Sequence, residues 1–201
     1  FRIKLVSLKT QNQIMKSPFF FIVTPVKGRR YNNTKNIGGI EFITSTSEED
    51  HKFSNREAIV METPLGYEGP IKEGYKLLVH HNVFKFYNDI KGARRSGRSF
   101  LKENLFLIEP DQFFLYHDGE QWHTYDRYCF IKPIPTEDSV LFKNTKEEPL
   151  VGLVKFPNEY LIRKGVKKGD KVTFKPDSEY EFEVDGEKLY RMYDHQITMV
   201  L

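Results

Sequence analysis

Four groups of side chains in this sequence are of the types that perform chemistry. His117, Asp118, Glu120 and His123 lie close enough in sequence to share one metal ion. They also straddle His117-Asp118-Gly119-Glu120, and a solvated turn accounts for the same residues. His80 and His81 are adjacent at the end of an apolar run, where neighbours on a strand point to opposite faces, so a shared metal is not expected. No metal site is assigned. Cys129 is the single cysteine, which excludes an intrachain disulfide and a CxxC metal site. Its alternating context is that of a strand, not of the helix N-terminus that would activate a thiol. Lys91, Arg94, Arg95, Arg98 and Lys102 fall in 12 residues without an acid, with Gly92 and Gly97 between them. Such a cationic loop is suited to anions such as phosphates, but a single aromatic, Phe100, is no series of interleaved rings for base stacking, so nucleic acid is not expected as a partner. GxSxG, Walker A, GxGxxG and HExxH are all missing from the sequence, so the chain reads as a non-enzyme with no cofactor.

The elements that must position these groups follow from composition and from an internal repeat. The 201 residues include 17 Phe and 11 Tyr, with Gly and Pro recurring throughout, which favours strands and turns over helices. A formal charge of +3 and a pI near 8.7 are too mild to imply nucleic acid or a membrane surface. No apolar run approaches the roughly 18 residues of a membrane span, and no signal-peptide pattern opens the chain. With one cysteine, this leads to the expectation of a cytoplasmic protein with no membrane partner.

Lys167-Lys168-Gly169-Asp170-Lys171-Val172-Thr173-Phe174 and Lys72-Glu73-Gly74-Tyr75-Lys76-Leu77-Leu78-Val79 share one pattern, a glycine turn feeding a strand, at an offset of 95. At the same offset, Glu57 to Met61 falls on Gly152 to Phe156. Phe21 to Val26 falls on Cys129 to Ile134 at offset 108, so the loop that follows is 13 residues shorter in the second copy. Glu103 to Phe106 and Gln112 to Tyr116 fall on Glu187 to Tyr190 and Gln196 to Val200 at offset 84, so the first copy carries about 11 extra residues around the basic stretch.

The expected organisation is an N-terminal extension strand over 1–17, where Phe1-Arg2-Ile3-Lys4-Leu5 alternates, a first unit over 18–117, a linker over 118–126 and a second unit over 127–201. Leu77 to Phe86 reads as one long strand, and Val184-Asp185-Gly186-Glu187 as a hairpin turn. The polar stretch from Lys27 to Asn55 holds one apolar island, Ile37-Gly38-Gly39-Ile40-Glu41-Phe42-Ile43. From periodicity alone the island is equally a short strand folded back on the body.

In order, these features resemble the GroES-like co-chaperonin family. The residues that carry the resemblance are Phe20 to Val26, Gly38-Gly39-Ile40-Glu41-Phe42, Arg56 to Val60, Lys72 to Val79 and Asp111 to Tyr116, and again Lys167-Lys168-Gly169-Asp170-Lys171-Val172 in the second copy. The resemblance implies an all-β chain of two tandem, irregular antiparallel β-barrels. It also implies a homo-oligomeric ring and a chaperonin ring of the GroEL type as partner. The contact residues carried over are Gly38, Gly39, Ile40, Phe42 and Ile43, with Val140, Leu141 and Phe142 in the second copy. Three departures stand out: Glu41 interrupts the apolar tripeptide, the second copy lacks Gly-Gly, and neither copy has room for a roof hairpin between Met61 and Lys72 or between Phe156 and Lys167. Divergence of this extent is found in phage co-chaperonins. The expected function is therefore a co-chaperonin that assists ATP-dependent folding, with a GroES-fold ring or decoration component of a phage particle as the alternative. Zinc-dependent dehydrogenases, which contain a GroES-like domain, need a dinucleotide-binding half and Cys/His ligands that this sequence does not have.

Overall fold

A computed structural model of the chain describes residues 15–32, 34–37, 40–43, 54–136 and 147–201. The alternation at Phe1 to Leu5 and the segment Val140 to Phe142 lie outside these residues, as do Gly38 and Gly39. The chain is all-β, as its aromatic content and turn spacing require, with one short α-helix among the described residues.

The first half runs through β1 (Phe21–Pro25), β2 (Thr34–Ile37), β3 (Ile40–Ile43), β4 (Glu57–Glu62), β5 (Lys76–Val79) and β6 (Phe86–Asn88). It continues with β7 (Arg94–Ser96), β8 (Phe100–Lys102), β9 (Leu105–Ile108), β10 (Phe113–His117) and β11 (Trp122–Thr124). The second half holds β12 (Tyr128–Pro135), β13 (Glu147–Phe156), the helix α1 (Glu159–Arg163), β14 (Lys171–Phe174), β15 (Tyr180–Val184), β16 (Glu187–Tyr193) and β17 (Ile197–Val200).

The repeat seen in the sequence is a repeat of pairing. The first main sheet has the order β11-β10-β5-β4-β1-β9-β8, and the second, read backwards, β17-β14-β13-β12-β16-β15. Aside from β11, each strand has its counterpart in the same place. Irregularities match as well. The register slips between Ile22 and Val23 in one half and between Phe130 and Ile131 in the other, and again between Phe113 and Leu115 and between Thr173 and Phe174. Bulges bend a strand at a fixed point, so their recurrence means that the two sheets bend alike. A Gln side chain repeats too: Gln112 Oε1 accepts from Glu109 N at 2.9 Å, and Gln196 Oε1 accepts from Tyr193 N at 2.8 Å, each tightening the turn before the last strand.

Two details of the sequence reading are corrected. Val23 pairs with Val60 and Ile131 with Val154, which sets β13 at an offset of 94 from β4, not 95. The extra residue is absorbed before β14, where α1 replaces a plain turn. Asn158 caps α1 by accepting from Leu161 N at 2.9 Å. Secondly, Leu77 to Phe86 is not one strand. β5 stops at Val79, and the turn that follows drives Val83 and Phe84 into the core before β6 begins.

The apolar runs are explained by burial on both faces. Leu77 and Val79 enter the first-half core with Phe21, Val60 and Phe106, whereas Leu78 between them points into a cluster shared by the halves. Along β12, Cys129 and Ile131 join the second-half core, and Tyr128 and Phe130 join that shared cluster. A strand covered on both sides has no polar face to alternate. The shared cluster combines Leu78, Phe114, Leu115 and Trp122 with Phe130, Phe182, Val184 and Leu189.

The hairpin at Val184 to Glu187 is as expected, with positive φ at Asp185 (50°) and Gly186 (77°) as a type I′ turn requires. Gly152 is dictated by close approach. A Cβ there would stand 2.4 Å from Ile131 Cγ2 and 2.7 Å from the Lys132 carbonyl oxygen. We expect Gly152→Ala to lower stability by about 1–3 kcal/mol in urea unfolding, because backbone must yield to the methyl group. An unchanged midpoint would show that β12 and β13 separate freely at this point.

Candidate functional site

The connection between β1 and β4 is long, and its neck is closed by named contacts. Tyr31 and Ser54 form an isolated antiparallel bridge, and Asn55 N donates to Arg30 O at 2.8 Å. The buried Asn55 side chain donates to Val26 O at 3.1 Å and Arg29 O at 2.8 Å, and accepts from Glu57 N at 2.9 Å. One amide thus ties the outgoing chain to the returning one at the mouth of the loop. Ser54 Oγ fixes the same point by donating to His81 O at 2.8 Å.

Beyond the neck the apolar island forms a hairpin. β2 pairs with β3, with Ile37 opposite Ile40 and Thr34 opposite Ile43, and among the described residues neither pairs with another strand. The island is therefore a strand, but it is folded on its own partner and not on either main sheet. Ile40, Phe42 and Ile43 all lie on β3. Their counterparts Val140, Leu141 and Phe142 fall outside the described residues.

The basic stretch is ordered more than its glycines suggested. β6 and β7 form a hairpin with Tyr87 opposite Arg95 and Asn88 opposite Arg94. Its turn is held by Asp89, whose Oδ1 accepts from Lys91 N and Ala93 N at 2.9 Å each and whose Oδ2 meets Arg95 Nε at 3.1 Å. These N–H donors, Ala93 foremost, hold the Asp89 carboxyl below its usual range. The stretch itself holds one aromatic, Phe100, and the hairpin adds Phe86 and Tyr87 beside its cations. Phe86 lies between two guanidiniums, with Arg30 Cζ at 4.1 Å and Arg94 Cζ at 3.7 Å from its centroid. Arg30 is anchored to Ser96 Oγ at 3.0 Å, and burial, with Arg94 beside it, lowers its pKa. Lys91, Arg94, Arg95, Arg98 and Lys102 are all exposed.

A second constellation sits between the halves. Arg56 reaches across to donate to Glu181 O at 2.7 Å and covers Phe182 at 4.6 Å. Arg191 lies over Phe114 at 4.7 Å, Tyr180 at 4.9 Å and Tyr128 at 5.1 Å. The expectation for His80 and His81 is corrected here. Because β5 ends at Val79, both belong to the turn, and their rings stand 4.1 Å apart instead of on opposite faces. His81 Nδ1 hydrogen-bonds the Tyr180 hydroxyl across the junction. Burial first, then Arg191 and Arg56, lower the pKa of His80, which favours its neutral form. Arg56, His81 and Tyr180 line a cleft of about 920 Å³ that also reaches Ser54 and Asn55 at the loop's neck. The grouping of Arg56, Arg191 and Tyr180 carried no signal in the sequence, since contacts between the halves bring them together.

The remaining candidates are structural. His117 Nδ1 accepts from Gly119 N at 3.0 Å, and Asp118 accepts from Glu120 N and Gln121 N at 2.9 Å while pairing with His123 at 2.7 Å. That is a turn locked by its own aspartate, whose pKa those backbone donors lower strongly. Among the described residues no group of three His, Cys, Asp or Glu side chains is placed to hold a metal ion. Burial pushes the Cys129 thiol up to about 12, so it is protonated and inert at neutral pH. No described helix is long and apolar enough to cross a membrane. No protein-family model matches the chain, and no curated protein matches it.

Proposed function

We propose that this chain is a co-chaperonin, two GroES-like barrels in tandem, which caps a chaperonin ring in the cytoplasm and assists ATP-dependent folding. The observation that carries this is the repeated sheet order, with two register slips recurring and the long connection at the same place in both halves: from β1 to β4 and from β12 to β13. In the family that the sequence resembles, this connection carries the chaperonin contact. Here it bears an apolar hairpin beyond a tied neck.

Edges favour a homo-oligomeric ring. In the first half the linker strand β11 covers the outer edge of β10, so that edge is already paired within the chain. In the second half the counterpart strand β17 ends the sheet, with Met199 and Val200 more than half exposed at 59% and 52%. Open apolar edges template further pairing, and a ring closes them. Ordering a loop against a partner costs roughly 1–2 kcal/mol per residue, so a single contact is weak and several loops must engage together. Glu41 stays in solvent or meets a cation, since burying it unpaired is costly.

The test is nucleotide-dependent co-sedimentation with a chaperonin double ring from the same source. Wild type is expected to bind, and Ile40→Ser/Phe42→Ser and Val140→Ser/Leu141→Ser to weaken binding together by more than tenfold, from multivalent loss. Absence of wild-type binding would transfer the assignment to a GroES-fold component of a phage particle. Binding untouched by both double variants would keep the role and remove these residues from it.

A further inference from the structure

The hairpin of β6 and β7 is present only in the first half, and nothing in the fold needs its outer face. Residues 85–102 carry six cations against one carboxylate, Asp89, in a chain whose whole formal charge is +3. That carboxylate is already committed to the turn and to Arg95. The side chains of Lys91, Arg98 and Lys102 meet no acid among the described residues.

Cross-strand register divides the hairpin into two faces. Phe86 and Ser96 face the body, where Arg30 and Tyr31 contact them, and the exposed Arg94 lies over the Phe86 ring. Tyr87 and Arg95 share the opposite face, with Tyr87 52% exposed. At the tip, Ile90 is fully exposed beside Lys91. The outer surface is thus cationic with an apolar point, on a turn that Asp89 holds rigid. Exposed Ile and Tyr amid cations have the composition of an interface, not of a solvated face.

The same structure argues against single-stranded nucleic acid. Base stacking needs open aromatic faces, and the Phe86 ring already carries the Arg30 and Arg94 guanidiniums while Phe100 lies under Arg30. Tyr87 alone is no platform.

We propose that this hairpin is a second docking element, which places Ile90, Tyr87 and the surrounding cations against an acidic protein surface on the same partner that receives the β2–β3 hairpin. The hairpin is fastened to the neck from which the β2–β3 loop departs. Arg30 and Tyr31 at the neck of the loop hold the hairpin through Phe86, Tyr31 Oη accepting from Phe86 N at 2.8 Å, and Asn104 Nδ2 donates to Gly28 O at 3.0 Å. Charge on the hairpin steers the encounter, and the apolar loop supplies the hold. The identity of the partner as a chaperonin ring rests on the co-chaperonin reading.

The test uses the full chain and the chaperonin double ring with nucleotide, from about 50 to about 300 mM salt. Lys91→Gln/Arg98→Gln/Lys102→Gln is expected to bind roughly tenfold more weakly at low salt and to lose most of the salt dependence, with thermal unfolding unchanged because these side chains are exposed. Ile90→Ser should weaken binding about threefold at every salt concentration. If the triple variant binds as wild type does, with the same salt slope, the hairpin has no docking role and the loop reading survives. Failure of wild type to bind overturns both. A single-stranded oligonucleotide complex sensitive to the triple variant, alongside unchanged ring binding, assigns the hairpin to nucleic acid and overturns the proposal.

Discussion

Replacing Phe114 by alanine should destabilise the chain by about 3–5 kcal/mol, the cost of a fully buried phenyl group whose site cannot collapse. Phe114 is 1% exposed and meets Tyr128 and Phe182 edge-on, with ring centroids 4.9 and 5.4 Å away. The Arg191 guanidinium lies over the same ring at 4.7 Å. Its partners belong to the other half of the chain, so the cavity would open where the halves are joined. Trp122 is the single tryptophan and sits in this cluster, its Nε1 donating to Asp185 at 2.9 Å. Tryptophan fluorescence therefore reports the junction, while far-UV circular dichroism reports all strands. In wild type the two probes should unfold together in urea. In Phe114→Ala the fluorescence transition should come first, and coincident, unshifted transitions would show that the halves do not depend on this ring.

Asp194→Ala should cost about 3 kcal/mol at neutral pH. The Asp194 side chain is buried, and its carboxylate receives Arg127 Nε at 2.5 Å, Arg127 Nη2 at 2.6 Å and Asn158 Nδ2 at 2.9 Å. Asn158 also caps α1, so the loss extends to the connection that leads into β14. Burial works to raise the Asp194 pKa, but Arg127 and Asn158 outweigh it and hold it below the usual carboxylate range. A depressed native pKa stabilises the fold above the unfolded value, near 3.9, and that contribution is lost as pH falls through the native value. The gap between wild type and Asp194→Ala should therefore be widest at neutral pH and narrow in acid. Arg127→Ala strands the carboxylate against its burial, so that variant should recover relative to wild type as pH falls. Urea midpoints at several pH values measure both, and parallel pH profiles would refute the role given to the pair.

Local chemistry was legible and distant chemistry was not. The Lys-x-Gly turns, the Asp185-Gly186 hairpin and the strand context of Cys129 all follow from residues within a few positions of one another. The offset between β4 and β13 was misjudged by one residue because α1 lengthens a connection while leaving both strand patterns intact. The length of β5 was misjudged because Val83 and Phe84 are apolar in a turn, where burial from a loop imitates strand burial. His80 and His81 inherited that error. Asn55, Arg56, Asp194 and Arg191 owe their importance to partners distant in sequence, and a lone amide, carboxylate or guanidinium has no local pattern to announce it. The contact loops stand as expectations from resemblance, with β2 and β3 accounting for the shape of one of them.

The knot at Asn55 also sets a tether length. From Tyr31, where the chain is pinned to Ser54, to Ile37 at the end of β2 is six residues, and extended chain covers about 3.3 Å per residue. The outgoing chain therefore sets an upper limit of about 20 Å on the distance from Tyr31 to the end of β2. Inserting residues before Thr34 would raise that limit. If the proposed docking holds, the partner's groove lies within that limit of Tyr31, so the position of the neck, and not the total length of the loop, decides what the hairpin can reach.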